Sequence, residues 1–134
     1  MAEEKFLRAK ILSINQETCV QNIQSDFTAL YPYLKLDFFR FVQPVWKTGA
    51  GPERIFPQER IIRYSKKNAC STISVEEYKT VQQLTDDFAL LLDLTVQILR
   101  KAGNVWIETS LTLGWTLGQQ NREGESISRI SSIL

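Results

Sequence analysis

Residues 90 to 109, LLLDLTVQILRKAGNVWIET, decide what this chain can become. Val81, Leu84, Phe88, Leu91 and Leu92 recur at helical spacing, and the run is apolar enough to carry a helix on through Leu99. The β-branched Thr95, Val96 and Ile98 argue against that continuation. Leu94, Val96 and Ile98 also alternate with Thr95 and Gln97 at the period of a strand. The helix therefore ends near Asp93. The next break, KAGN, has the character of a tight turn with Gly103 or Asn104 at positive φ, so 94–100 and 105–113 form an antiparallel hairpin.

The rest of the chain reads in the same two periods. Leu7, Ala9 and Ile11 alternate with Arg8 and Lys10, predicting a strand over 6–13. Ser13 and Gln16 form a capping box before Val20, Ile23, Phe27 and Leu30, a helical stripe that Pro32 stops. Leu36 and Phe38 restore period 2 from Leu34 onward, with Phe39 and Phe41 making the far end apolar on both faces. Residues 44–58, PVWKTGAGPERIFPQ, are rich in proline and glycine and read as a long loop, the first place to look for a ligand contact. Arg60 to Tyr64 and Ser71 to Val75 are short strand candidates, and Thr80 with Gln83 caps the second helix.

Two helices on one face of a mainly antiparallel sheet satisfy this pattern, in the order β-α-β-β-α-β-β. The fold class is therefore α+β, a two-layer sandwich. Thr116 with Gln119 opens a short C-terminal helix that Gly124 stops, and 125–134 form a tail that docks or frays. No internal repeat stands out. One domain over 1–134 is expected, since a chain of 134 residues buries on the order of two-thirds of its unfolded surface.

Hydrophobic content of 43% with 23% charged residues is globular rather than disordered composition. The net charge is +1, which supplies no overall field for nucleic acid or anionic lipid. Within it, residues 44–69 carry Lys47, Arg54, Arg60, Arg63, Lys66 and Lys67 against two glutamates, and 70–94 reverse the sign; two solvated faces account for this. Cys19 and Cys70 stand alone, so neither a disulfide framework nor a zinc site is indicated, and reduced thiols fit a cytoplasmic protein. The N-terminus lacks the apolar core of a secretory signal, and no run approaches the ~20 apolar residues of a membrane span.

The chain contains no histidine, which removes Ser-His-Asp and Cys-His catalysis and His-ligated metals. Glu76–Glu77 and Asp86–Asp87 are sequence neighbours that diverge by ~100° on a helix, so neither pair converges on one atom; each reads as a solvated face. TGAGPER at 48–54 is a weak echo of an anion-binding loop, with Pro52 removing one N–H. Trp46, Phe56 and Tyr64 interleave with basic residues as in single-strand binders, yet no nucleic-acid motif is present, and nucleic acid is an unlikely partner.

No catalytic set, metal site or cofactor is therefore expected. The first expectation is a non-catalytic cytoplasmic interaction domain that pairs with itself or another protein, using the hairpin as an edge. The second is a small-ligand site or a histidine-free enzyme with a pocket of Trp46, Arg100, Trp106, Glu108, Gln119, Gln120, Asn121 and Arg122, in which burial of Glu108 would raise its pKa. By strand parity Val105, Ile107, Thr109, Leu111 and Leu113 form the buried side, leaving Trp106 and Glu108 opposite; Trp115, past the bend, is expected as a core or staple residue.

The block VQILRKAGNVWIET followed by WTLGQQNREG resembles a C-terminal pattern of small bacterial proteins, in which a Lys-x-Gly-Asn turn precedes Trp-Thr-Leu and Gln-Asn. The resemblance covers the last third to half of the chain. It implies a bacterial cytoplasmic origin and carries no activity, substrate or cofactor with it.

Overall fold

The computed structural model describes residues 10–41, 52–65 and 70–133. Among them the order is β1 (Ile11–Ile14), α1 (Val20–Leu30), β2 (Leu34–Phe41), β3 (Pro52–Arg54), a 3-10 turn (Ile61–Arg63), β4 (Ser71–Ser74), α2 (Val81–Leu92), β5 (Thr95–Ala102), β6 (Val105–Glu108) and α3 (Leu117–Ile133). β1 pairs with β4, and the larger sheet runs β3-β2-β5-β6, every pairing antiparallel. The α+β class read from the sequence is the observed one.

The decisive boundary falls at Asp93. Its φ of 57° is left-handed, a conformation that aspartate tolerates better than most residues. The Asp93 N–H donates to the Ala89 carbonyl and the Leu94 N–H to that of Phe88, closing α2 so that β5 can start at Thr95. Gly103 takes φ 66° in the turn between β5 and β6.

In β2, Leu34, Leu36 and Phe38 are buried, and in β5 Val96 and Ile98; the register pairs Leu36 with Ile98 and Phe38 with Val96. These side chains share one face, onto which α1 lays Val20, Ile23 and Phe27 and α2 lays Val81, Leu84 and Phe88. Phe38 and Phe88 meet edge to face at 5.3 Å. Leu12, Ile14, Ile73 and Val75 bring the β1–β4 ribbon into the same core. Full burial of each such side chain stabilises by roughly 1.5–3 kcal/mol.

The two halves of the chain repeat one another. The N–H groups of Val20 and Gln21 donate to the carbonyls of Glu59 and Pro57, and those of Val81 and Gln82 to Trp115 and Leu113. Ile61 N–H donates to Thr18 O as Leu117 N–H does to Lys79 O, and the single bridges Cys19 to Arg60 and Thr80 to Thr116 correspond. Both helices thus satisfy their unpaired first-turn amides with a returning loop. The sequence carries the trace: VQNIQSDF at 20–27 against VQQLTDDF at 81–88. Each sheet pairs a strand of one half with its counterpart, which corrects the expectation of no internal repeat.

Other boundaries move for the same reason. Ser13 does not cap a helix; it lies in β1 opposite Thr72, because the alternation of buried Leu12 and Ile14 wins over a local motif, and Cys19 precedes α1 with its N–H on Asn22 Oδ1 (2.8 Å). Part of the expected loop, 52–54, is instead an edge strand, and the rest of it up to residue 51, with Trp46, lies outside the described residues. The expected strand at 60–64 is a 3-10 turn, since Ile61 is held by Thr18 O. β6 ends at Glu108, not 113: Thr109 Oγ1 donates to Ile98 O (2.7 Å) and the chain bends, leaving Leu111 98% exposed and Val105 58% exposed on the face expected to be buried.

The C-terminal helix does not stop at Gly124. That residue is buried inside α3, where an added Cβ would sit 2.8 Å from Tyr33 Cβ, 3.1 Å from Arg100 Cγ and 3.2 Å from the Lys101 carbonyl oxygen. The helix therefore closes onto the end of β5 through its missing side chain, and the expected tail is helical through Ile133.

Two outcomes follow from these contacts. Gly124→Ala gains about 1 kcal/mol of helix propensity but meets an overpacking cost of about 1–3 kcal/mol, so the net loss grows further with Gly124→Val; urea unfolding measures it, and a stabilised alanine variant would contradict the close approach. Tyr31, whose hydroxyl donates to Val75 O, has its pKa raised by burial first and then by the carboxylates of Glu77 and Glu76. The folded state thus favours the neutral phenol. Its contribution is complete below about pH 10 and is lost as pH rises toward the folded-state pKa, a slope that Tyr31→Phe flattens in alkaline denaturation curves.

Candidate functional site

The repeat makes one asymmetry visible, at the outer edges of the two central strands. Leu34 and Leu36 turn their carbonyls away from β5, and α1 covers both: Thr28 Oγ1 donates to Leu34 O (3.0 Å) and Gln24 Nε2 to Leu36 O (2.8 Å). In the second half, the helix positions corresponding to Gln24 and Thr28 hold Thr85 and Ala89. Thr85 spends its hydroxyl on Val81 O (2.9 Å), and alanine has no donor.

β5 is also longer than its neighbour. β6 pairs with it only from Leu99 to Ala102, and Thr109 then takes the Ile98 carbonyl. By the two-residue alternation of a strand, Val96 directs its peptide groups to the same side as Ile98, away from β2. A groove of about 560 Å³ opens there. Phe39, Val81, Val96, Ile98 and Leu113 give it apolar walls, and Arg54, Thr85, Gln97, Glu108 and Ser110 provide polar groups. Arg54 is tied to Asp37 at 3.0 Å.

The residues expected to share one pocket divide between the two faces of the sheet. Arg100 pairs with Ile107, so its side chain lies on the helix face, whereas Trp106 and Glu108 lie on the other. On the helix face, Arg100 Nη1 donates to Gln120 Oε1 (2.9 Å), and the fully buried Gln120 donates to the Thr112 carbonyl (3.0 Å) and hydroxyl (2.7 Å). Arg100 Nε is buried without a hydrogen bond among the described residues, and the Trp115 ring lies 5.5 Å from the guanidinium carbon. Trp115 is 38% exposed: it covers this arginine rather than entering the core.

Gln119 is occupied as a cap, accepting from Thr116 N (2.8 Å), and Asn121 accepts from Tyr33 N (2.9 Å). Arg122 remains, lining with Trp115, Gln119, Glu123 and Ser126 a polar cleft of about 280 Å³. Across the sheet, Lys35 Nζ stands 4.9 Å above the Trp106 ring. Glu108 is exposed, so the enclosure imagined for it is not present.

The paired acids are mostly engaged, and Glu76–Glu77 lie in the turn before α2 and not on a helix as expected. Glu76 accepts from Lys10 N (2.8 Å), Glu77 pairs with Lys10 Nζ (3.1 Å), and Asp87 pairs with the mostly buried Lys79, which also donates to Ser74 O (2.7 Å). The reading of Asp86–Asp87 as a solvated face therefore holds only in part. Of the basic excess, the described Arg60 pairs with Glu17 and Arg63 with Glu59. Among the described residues no three His, Cys, Asp or Glu side chains gather for a metal, and no helix is long and apolar enough to cross a membrane.

The groove escaped the sequence reading because Val81, Val96 and Ile98 look like ordinary core positions. Aligning the two VQ repeats and asking why Gln24 and Thr28 become Thr85 and Ala89 would have found it. No protein family, curated protein or solved structure matches this chain.

The buried polar link is testable. Gln120→Leu keeps the volume but leaves Arg100 and the Thr112 carbonyl without their partner, and should lower stability by about 1–3 kcal/mol with a change in Trp115 fluorescence. An unchanged unfolding midpoint would show that water replaces Gln120.

Proposed function

We propose that the protein is a non-catalytic interaction domain that seats a short extended segment of another protein in the groove beside β5. The observation that carries this reading is that no described side chain caps the outer edge at Val96, whereas at the edge of β2, which borders a cleft of the same volume, Gln24 and Thr28 already occupy the Leu36 and Leu34 carbonyls. A volume of about 560 Å³ lies within the ~300–1,000 Å³ of typical binding clefts. Main-chain groups at a strand edge give an extended peptide its hydrogen bonds, and apolar walls select alternate side chains.

The second expectation, a pocket combining Arg100 with Trp106 and Glu108, gains no support from this geometry, since the sheet lies between them. The groove retains Glu108 as a rim residue only.

Peptides enriched from a random display library, measured by fluorescence polarisation, test the proposal. Bound sequences should alternate apolar residues, and Thr85→Trp, which fills the groove, should weaken them by about tenfold or more, or ~1.4 kcal/mol, without lowering the melting temperature. Thr85→Gln should also weaken them by restoring the cap of the first half. Peptides unaffected by either change bind elsewhere and defeat the reading; a thermal shift with small metabolites but not peptides would reassign the groove to a small ligand.

A further inference from the structure

β6 is the outermost strand beside β5 among the described residues. Since Ile98 turns its carbonyl toward the β6 side, Arg100 and Ala102 do likewise, and their opposites Ile107 and Val105 use their peptide groups within the sheet. Trp106 and Glu108 therefore direct theirs outward. We propose that β6 pairs antiparallel with β6 of a second copy of this chain about a two-fold axis at Ile107, so that Trp106 of each copy lies opposite Glu108 of the other.

Charge selects both the occupant and the register. Trp106 sits opposite Lys101 in the ladder and beneath Lys35 Nζ, so two cations flank it on this face. Glu108 is exposed and forms no ion pair among the described residues. The proposed register sets each such carboxylate beside the cationic pair of the other copy. Shifting it to place Trp106 against Trp106 would bring like charges together across the axis and leave both carboxylates without a cation.

The other face agrees. Ile107 meets its own copy at the closer, non-hydrogen-bonded spacing, and Val105, 58% exposed, gains a neighbour at position 109 of the second chain. The hydrogen bonds exchanged by the Trp106 and Glu108 pairs satisfy an edge that otherwise templates less specific association. Ion pairs of this exposure contribute chiefly register and selectivity.

This pairing shares Glu108 and position 109 with the rim of the groove, and it is tested by mass, not by peptide. Sedimentation velocity over a concentration series should show the full chain in monomer–dimer equilibrium. Glu108→Lys and Lys101→Glu should each raise the dimer dissociation constant by about tenfold or more, and the double exchange should return it to within about threefold of the original. Circular dichroism and melting temperature establish that each variant is folded. A strictly monomeric parent, a dimer indifferent to either single change, or folded double variants that stay monomeric would each overturn the proposal.

Discussion

The antiparallel pairing of β2 with β5 is the contact on which the rest of the molecule depends. It places Leu34, Leu36 and Phe38 beside Val96 and Ile98 on one face, and this joint surface, not either strand alone, is wide enough to receive α1 and α2 together. The first half by itself would present one helix over three short or edge-paired strands, and either half alone would bury far less apolar surface against the conformational entropy of ordering it. Joined across the central pair, the halves share Phe38 against Phe88, a contact between one strand of the first half and the helix of the second.

A repeated architecture needs its halves to match only where they meet. The amides at the start of α1 and α2 are satisfied the same way, and Val20, Phe27, Val81 and Phe88 fill corresponding buried places. Away from that seam the halves diverge. Gln24 and Thr28 cap the carbonyls of one strand edge, and Thr85 and Ala89 supply no such cap to the other. Gln120 and Arg100 build a buried polar link to α3, helped by Gly124, with no described equivalent beyond the 3-10 turn in the first half. The proposed groove thus lies where the two halves differ.

Local rules and tertiary rules competed at identifiable residues. The Thr80 and Thr116 capping boxes formed as written, since their hydroxyls and Gln83 and Gln119 act within one turn. The Ser13 box failed because strand pairing through Ile14 buried more apolar surface than a cap returns. Gly124 read as a helix stop because glycine is poor in isolated helices, and it proved to be the residue that lets a helix approach a strand.

The sequence by itself determined the main periods: the helices α1 and α2, the strands β2, β4 and β5, the turn at Gly103, the end of α2 at Asp93, and the absence of histidine chemistry. These depend on local sterics and on alternation, which a linear chain carries. Only the tertiary structure decided that Arg100 and Trp106 face opposite sides of the sheet, that β6 stops at Glu108, and that Trp115 shields an arginine. Those outcomes depend on which carbonyls the first amides of α2 could reach and on which strand lay beside which. Such choices are made between residues far apart in sequence, where periodicity has nothing to say.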